Sequence, residues 1–406
     1  MYNKIRWISL LALGAVLWQC SPLMQPVRDA EKSLTDYRRE LAVFRRMCGG
    51  AKEMPDVRFF LFGMGSRPKL LYRSGELMNA LTGRILKKWS VKRDYILPHE
   101  YKVVILDSSG VPTAIREDSI GVWVERMGES ELVPGTQAPV RLPDFRGRRF
   151  ANVLKVLHQE ILVNVIEGKP VPNFFIYPKP WYRDGAMMAM CLRTTGNLGL
   201  IRGWILGLSE AYDRNNAGET EADNPGQALF LISLVSDRNH PLVPKLLDAL
   251  KTHEVRDGAK RHIRGRSDFA EHPVYQTKWA ILGLESLGIR NPYTVPEVED
   301  GYGALFWMKR EGGRNTPLDS GKESRYPYLD WASDHFFATH TARISNRDYP
   351  LTWEIEASQA NYEGMRLVDE RFARNRTGSP HTWHSAEVFL YLMDSEADKI
   401  KEEVRP

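Results

Sequence analysis

The sequence predicts a mainly α-helical fold that is preceded by a small β-rich domain. From about residue 148 onward, apolar residues recur at helical spacing in medium-length stretches that Gly, Pro and Asn separate. Before that point, short runs rich in β-branched and aromatic residues alternate with turn sequences. Many helices with apolar residues on two faces indicate helices stacked as hairpins. A plain all-α bundle fits the same pattern.

The first 20 residues form a predicted targeting segment. Lys4 and Arg6 precede an apolar stretch at residues 7–18, which has the length of a signal peptide and is short for a spanning helix. Residues 17–20 (LWQC) resemble a bacterial lipobox, in which the cysteine, here Cys20, is lipidated. We therefore expect an exported protein in the periplasm or at the cell surface, with a membrane anchor at Cys20. An uncleaved anchor and an ordinary secretory signal are the alternatives.

Three further regions follow the targeting segment. Residues 21–54 are charged and compatible with a tether or a lead-in helix, and residues 55–147 read as the small β-rich domain, with strands near 57–62, 101–106 and 120–124. Residues 63–65 (GMG) indicate a turn rather than a phosphate-binding loop, because Pro68 follows and no helix opens there. Residues 148–406 form the helical, catalytic-like domain. Its helices are predicted near 153–163, 184–195, 198–213, 225–236, 241–254, 273–287, 328–340, 353–371 and 382–395.

The composition restricts the classes of partner. Lys and Arg (56) exceed Asp and Glu (51) by only 5 residues, which argues against nucleic acid. The three cysteines are widely spaced and no Cys/His ligand spacing occurs, so we expect neither a disulfide framework nor a cofactor. Calcium held by carboxylates stays open. The 11 Trp and 16 Tyr suit a carbohydrate partner, because aromatic faces cover the C–H faces of sugars.

One motif carries a family resemblance. Residues 177–185 (YPKPWYRDG) stand directly before an apolar helix, and the aromatic-x-Arg-Asp pattern resembles the signature of the glucoamylase family and its six-hairpin relatives. The resemblance implies an α/α toroid of helical hairpins, glycoside hydrolase activity, and sugar contacts by Trp181, Arg183 and Asp184. A guanidinium fork donates to hydroxyls and a carboxylate accepts from them. Asp184 could instead stabilise the positive end of the helix dipole.

Three later segments match the order of that family, and one of them, residues 268–277 (DFAEHPVYQT), stands where the family places its catalytic acid. Residues 221–227 (EADNPGQ) resemble its polar-Asp-Gly segment, which implies that Asp223 and Asn224 bind substrate, although either could cap the helix that follows. Residues 376–387 (RTGSPHTWHSAE) resemble the start of its last helix, which implies binding by Trp383 and His384.

An inverting glycosidase needs two carboxyl groups about 6.5–9.5 Å apart, one protonated and one ionised. By position in the family order, Glu271 is the expected general acid. Glu354 is the first choice for the base because it follows Trp353, itself an expected substrate contact, at a predicted helix entrance; Glu356 and Glu370 rank next. The chain lacks the Trp-Glu-Glu acid motif and the Glu-Gln base motif of the family. The resemblance therefore implies chemistry on sugars more readily than it implies the family's specificity for α-1,4-glucosidic bonds.

Several interpretations stay open. Asp334 and His335 could line the pocket or form a buried His–Asp pair, and the basic run at residues 256–266 could be a solvated loop or a contact for an anionic polysaccharide. We expect an exported glycoside hydrolase that cleaves an oligo- or polysaccharide by an inverting mechanism. A surface glycan-binding protein with a degenerate toroid is one alternative. A polysaccharide lyase that uses a Tyr or His base, such as Tyr275 or His272, is the other.

Overall fold

The computed structural model describes residues 24–48, 50–177, 179–267, 270–298, 344–357 and 360–403. The fold is mixed, with 37% helix and 21% strand. The expectation of a mainly α toroid is therefore wrong. The fold differs from the expectation because strands pair along much of the described chain. Two antiparallel sheets of four and five strands precede the helix Ala151–Val163, and two-stranded ladders connect the later helices.

The predicted lead-in helix, α1, spans Gln25–Met47 and packs on the body of the protein. Its buried residues recur every three or four positions, which places one apolar stripe along the helix. This stripe faces the five-stranded sheet and the helix Ala151–Val163. The buried residues of the stripe are Val27, Ala30, Leu34, Tyr37, Leu41 and Phe44.

Nine strands between residues 59 and 132 form the two sheets, each an antiparallel meander in sequence order. The strands predicted near 57–62, 101–106 and 120–124 are confirmed as members. The first sheet contains β1 (Phe59–Phe62), β2 (Leu70–Arg73), β3 (Glu76–Asn79) and β4 (Ile85–Lys88). The second contains β5 (Val91–Leu97), β6 (Lys102–Asp107), β7 (Pro112–Glu117), β8 (Val122–Arg126) and β9 (Glu129–Leu132).

The turn that follows β1 is cross-linked by buried charges. The Glu117 carboxylate accepts hydrogen bonds from the amides of Gly63 (2.9 Å) and Met64 (2.7 Å) and from Arg67 Nη1 (2.8 Å). Lys69 Nζ donates to the Gly63 carbonyl at 2.5 Å. Because Glu117 uses the two amides, this segment is a structural turn, in agreement with the sequence interpretation.

Helices dominate the remainder of the chain and pack as a series of neighbours. The helices are α2 (Ala151–Val163), α3 (Tyr182–Thr194), α4 (Arg202–Leu206), α5 (Asn224–Ser233), α6 (Val243–Thr252), α7 (Pro273–Ser286), α8 (Glu370–Arg374) and α9 (Thr382–Glu403). Helix α9 contacts α2 and α3, α3 contacts α5, and α5 contacts α7. Paired short strands lie between them: Val165–Ile166 with Lys169–Pro170, Glu254–Asp257 with Lys260–Ile263, Arg266–Ser267 with Ala270–Glu271, and Glu354–Ile355 with Thr377–Gly378.

Two predicted helices do not form as expected. Residues 198–213 contain only a 3-10 turn at Leu198–Leu200 and the short α4, after which the chain is irregular. Residues 353–371 contain the strand Glu354–Ile355, a 3-10 segment at Tyr362–Leu367 and the start of α8. In both stretches the apolar side chains pack loops rather than one continuous helix face. The helix predicted near 328–340 lies outside the described residues.

Helices α5 and α7 cross with their backbones in close contact. A Cβ atom on Gly226 would lie 2.5 Å from the Trp279 carbonyl carbon, and one on Gly283 would lie 2.3 Å from the Gly226 carbonyl oxygen. Only glycine fits at such a crossing, because no side chain separates the backbones. The crossing fixes the start of α5 against the middle and the last turn of α7.

Within the described part of the chain, no helix combines the length and the apolar character that crossing a membrane requires. The predicted targeting segment and Cys20 lie outside the described residues.

Candidate functional site

Glu354 lies at the centre of a group of polar and aromatic side chains. Its strand pairs with Thr377–Gly378, which brings the start of α9 close. Glu354 Oε1 accepts a hydrogen bond from the Tyr177 hydroxyl at 2.7 Å, and Oε2 lies 2.7 Å from His381 Nε2. The Glu354 side chain keeps 23% of its surface exposed, although its Oε2 atom is buried.

The ionisation of this pair follows from its surroundings. Burial raises the pKa of Glu354, but the charge and hydrogen bond of His381 and the hydroxyl of Tyr177 outweigh it, so the pKa lies below its ordinary value. Burial lowers the pKa of His381, but the Glu354 charge outweighs it and the pKa lies above its ordinary value. These shifts favour the carboxylate form of Glu354 and the imidazolium form of His381. Burial and Glu354 raise the pKa of Tyr177 far above its usual range, so Tyr177 stays a donor.

The buried carboxyl group of Glu160, on α2, holds the segment that carries Glu354. Glu160 accepts hydrogen bonds from the Leu351 amide at 2.5 Å, Thr352 Oγ1 at 2.5 Å and Ser385 Oγ at 2.9 Å. Thr352 Oγ1 in turn accepts from the His381 amide at 3.0 Å. Glu160 thereby ties the two chain segments that supply Glu354 and His381 to one helix.

The first turn of α3 presents Arg183 and Asp184 to the same group. The Arg183 guanidinium lies 5.2 Å from the Trp383 ring centroid, and its Nη1 lies 3.4 Å from Glu221 Oε2. Asp184 is buried, with 2% of its surface exposed. The Asp184 charge acts to raise the pKa of His381 and the Arg183 charge acts to lower it, both less than burial and Glu354 do. The charges of Asp184 and Arg183 are therefore close enough to His381 to influence its pKa.

A second carboxyl group of unusual ionisation lies beyond Arg183. Asp213 accepts a hydrogen bond from the Tyr182 amide, and its own amide donates to Asn224 Oδ1 at 3.3 Å. Burial raises the pKa of Asp213 to about 7, with Glu221 adding to the rise and Arg183 opposing it. Arg183 also acts on the pKa of Glu354, after burial and His381. Two carboxyl groups whose pKa values are moved apart therefore both respond to Arg183, an arrangement typical of acid–base sites.

Asp223 and Asn224 serve as internal braces behind this group. Asp223 is fully buried and accepts hydrogen bonds from Ser267 Oγ at 2.5 Å and Gln227 Nε2 at 2.7 Å. Asn224 holds the Asp213 backbone, as described above. The structure thus brings both predicted residues near the site, where Asn224 supports Asp213 and Asp223 holds Ser267 and Gln227.

Aromatic rings surround the polar group. The Trp181 ring lies 4.8 Å from that of Tyr177, and the Trp353 ring lies 5.8 Å from that of His384. His384 Nδ1 is 2.7 Å from the Trp353 carbonyl oxygen. The predicted residues Trp181, Arg183, Asp184, Trp353, Glu354, Trp383 and His384 are thus brought together.

The other predicted catalytic carboxylates lie at the surface. Glu271 is exposed and its Oε2 lies 2.6 Å from Arg264 Nε. Glu370 is exposed and pairs with Arg366, and Glu356 is exposed in a left-handed conformation (φ 55°). None of the contacts found in the described residues joins these three to Glu354. Asp334 and His335 lie outside the described residues.

Sequence reasoning missed five residues that build the site. Tyr177 and His381 stand inside segments that the motifs had selected, so an aromatic hydroxyl and a histidine beside those motifs were available signals. Asp213 fell in a predicted helix, which concealed it. Glu221 is the first residue of the selected segment 221–227 and stands beside Asp223 and Asn224, so it too had a local signal. Glu160 carries no local signal, because its partners are distant in the chain.

The basic run at residues 256–266 is a hairpin whose cations pair with carboxylates. Arg256 and Arg261 approach Glu254 at 3.1 and 3.6 Å. Three similar pairs complete the set: Lys260 with Glu297, Arg264 with Glu271, and Arg266 with Glu219. This pairing favours the solvated-loop interpretation over a site for an anionic polysaccharide.

Comparisons with protein-family models, with curated proteins and with solved structures found no match. The resemblance to the glucoamylase family therefore stays a prediction, and a function has to be argued from the site itself. Among the described residues, no group of three or more His, Cys, Asp or Glu side chains has a geometry that could hold a metal ion.

Proposed function

We propose that the chain is an exported glycoside hydrolase that cleaves an oligo- or polysaccharide with two carboxyl groups. The observation that supports this most is the opposite ionisation of Glu354 and Asp213 around Arg183. Burial raises the pKa of Asp213 to about 7, which keeps a proton available near neutral pH, while His381 and Tyr177 keep Glu354 ionised. Inverting hydrolysis needs one carboxyl group in each state.

In this proposal Glu354 is the base and Asp213 the acid. Water attacks the anomeric carbon as one of its protons passes to Glu354. Asp213 gives its proton to the glycosidic oxygen, which leaves with the electrons of the broken C–O bond. Arg183 and Asp184 bind sugar hydroxyls by donating and accepting hydrogen bonds.

In this proposal Asp213 replaces Glu271, the acid expected from the sequence motifs. An acid must hold its proton next to the substrate, and burial is what allows a carboxyl group to do so near neutral pH. Glu271 is exposed and ion-paired with Arg264, whereas Asp213 lies beside Tyr182 and within range of Arg183.

A surface glycan-binding protein is the second candidate. Both Glu354 oxygens are already engaged, by Tyr177 and His381. A carboxylate held in this way suits fixed recognition of a hydroxyl as well as it suits activation of water. A lyase with Tyr177 as its base fits less well, because the raised pKa of Tyr177 opposes its ionisation.

Product analysis by proton NMR tests these functions. The full chain is incubated with α- and β-linked oligosaccharides and with uronic-acid glycans, beside the variants Glu354→Gln and Asp213→Asn and the surface control Glu370→Gln. We expect a free sugar from the wild type and the control, and turnover lower by about 10²–10⁴ in each site variant.

Each contrary outcome has a separate meaning. Equal turnover in Glu354→Gln and the wild type would rule out Glu354 as the base. Saturable binding without turnover would establish the glycan-binding protein. An unsaturated product that absorbs in the near ultraviolet would establish the lyase.

A further inference from the structure

We infer that His381 is a positioning residue that fixes the orientation and the charge of Glu354, and thereby sets the lowest pH at which the site works. Its kinetic consequence rests on the proposed function. The coupling between the two side chains does not, and it can be measured without any substrate.

The geometry of His381 suits this task. The residue is 8% exposed, and its ring Nε2 lies 2.7 Å from Glu354 Oε2. Its amide donates to Thr352 Oγ1 at 3.0 Å, and its carbonyl accepts from Ser385 Oγ at 3.0 Å. The backbone of His381 is therefore fixed on both sides. The imidazole has little freedom to move away from the carboxylate.

The second ring nitrogen strengthens this interpretation. His381 Nδ1 is buried and has no hydrogen-bond partner among the described residues. Within the described part of the chain, the close contact of Nε2 with Glu354 Oε2 is thus the polar contact that orients the ring. Without it, a buried imidazolium would lack compensation for its lost hydration.

Charged and titratable groups face His381 from several elements. Besides Glu354, they are Tyr177 at 6.3 Å between ring centroids, His384 at 5.1 Å, and Asp184 and Arg183 at the start of α3. Asp184 favours the imidazolium and Arg183 opposes it. Because these two contributions have opposite signs, Glu354 is the neighbour that decides the charge of His381.

Coupling between charges is reciprocal, so each partner must move the pKa of the other. An opposite charge at contact distance shifts a carboxyl pKa by roughly 1–3 units. We therefore expect His381→Gln, which removes the charge but keeps an N–H donor, to raise the pKa of Glu354 by about 1 unit or more. Glu354→Gln should lower the pKa of His381 by a similar amount.

Histidine NMR on the full chain tests the coupling directly. The ¹⁵N-labelled imidazole signals are titrated, and His381 is assigned from the signal lost in His381→Gln. We expect His381 to lose its proton at a pH lower by about 1 unit or more in Glu354→Gln than in the wild type. His262, on the hairpin Glu254–Ile263, is the internal control and should titrate alike in both proteins. An unchanged His381 titration would overturn the inference.

A reciprocal measurement guards against misfolding of one variant. The ¹³C carboxyl signal of Glu354 is followed in the wild type and in His381→Gln, and its midpoint should rise. If a substrate is turned over, the acidic limb of kcat/KM should rise by the same amount in His381→Gln and stay in place in His262→Gln.

The two failures can be told apart. Coupling without turnover on any glycan would refute the hydrolase and retain the positioning role. Turnover with uncoupled titrations of His381 and Glu354 would retain the hydrolase and refute the positioning role.

Discussion

Glu160 offers a stability test that links the fold to the site. The side chain is fully buried and accepts hydrogen bonds from Leu351, Thr352 and Ser385, which hold the chain next to Glu354. We predict that Glu160→Gln keeps this network. Its amide oxygen can accept from the Leu351 amide, and its NH₂ group can donate to the two hydroxyls, which can rotate.

The variant should, however, lose a pH dependence that the wild type has. Burial raises the pKa of Glu160 to about 7 in the folded protein, whereas an unfolded Glu has a pKa of about 4.3. Between these values the folded state binds more protons, so the free energy of unfolding falls as pH rises. The contribution of Glu160 to the free energy of unfolding is complete below about pH 4.3 and is lost as the pH rises through about 7. Linkage gives a loss of about 3 kcal/mol between pH 4.5 and 7.5.

Urea denaturation at a series of pH values measures the effect. The free energy of unfolding of the wild type minus that of Glu160→Gln should fall by about 3 kcal/mol from pH 4.5 to 7.5. Taking the difference removes the titration of all other groups. Glu129→Gln, at an exposed position of β9, is the matched control and should give a flat difference. A flat difference for Glu160→Gln as well would refute the reasoning.

Three further predictions follow from the same contacts. Gly226→Ala should cost about 2 kcal/mol or more because its Cβ would meet the Trp279 backbone, whereas Gly203→Ala, with open space around it, should cost nothing in thermal or urea unfolding. Glu271→Gln should cost less than about 1 kcal/mol and preserve turnover, since its ion pair is exposed; a large loss of activity would restore it as a catalytic candidate. Asp213→Asn should abolish the decline of kcat/KM above about pH 7 along with most of the activity, and an unchanged alkaline limb would exclude Asp213 as the acid.

Local patterns predicted the helices whose buried faces are continuous. The helices expected at 225–236 and 273–287 are α5 and α7, because apolar spacing along one segment is enough to define a buried face. The pattern failed at 198–213 and 353–371, where apolar residues pack irregular chain. It also underestimated the sheets, since many of their strands, such as β4 and β9, are short and partly exposed and carry little apolar signal.

The candidate site was only partly predictable, because local sequence signals do not show which residues distant in the chain come into contact. Arg183, Asp184 and Glu354 stand beside aromatic residues in the sequence, and this local signal selected them. The partner of Glu354 is set by strand pairing between Glu354 and Gly378, which no local pattern reveals. Asp213 depends on the Tyr182 amide 31 positions earlier in the chain.

The site does not require the architecture that the sequence suggested. It needs a helix that starts at Tyr182, a two-residue strand that carries Glu354, and a helix that starts just after His381, and each of these exists in the mixed fold. Glu160, on α2, joins the last two through Thr352 and through Ser385 on α9. Function resides in such a site rather than in the fold that carries it. Because the fold is mixed, a toroid no longer supports sugar chemistry, and the proposal depends on the site itself, above all on the opposite pKa shifts of Glu354 and Asp213.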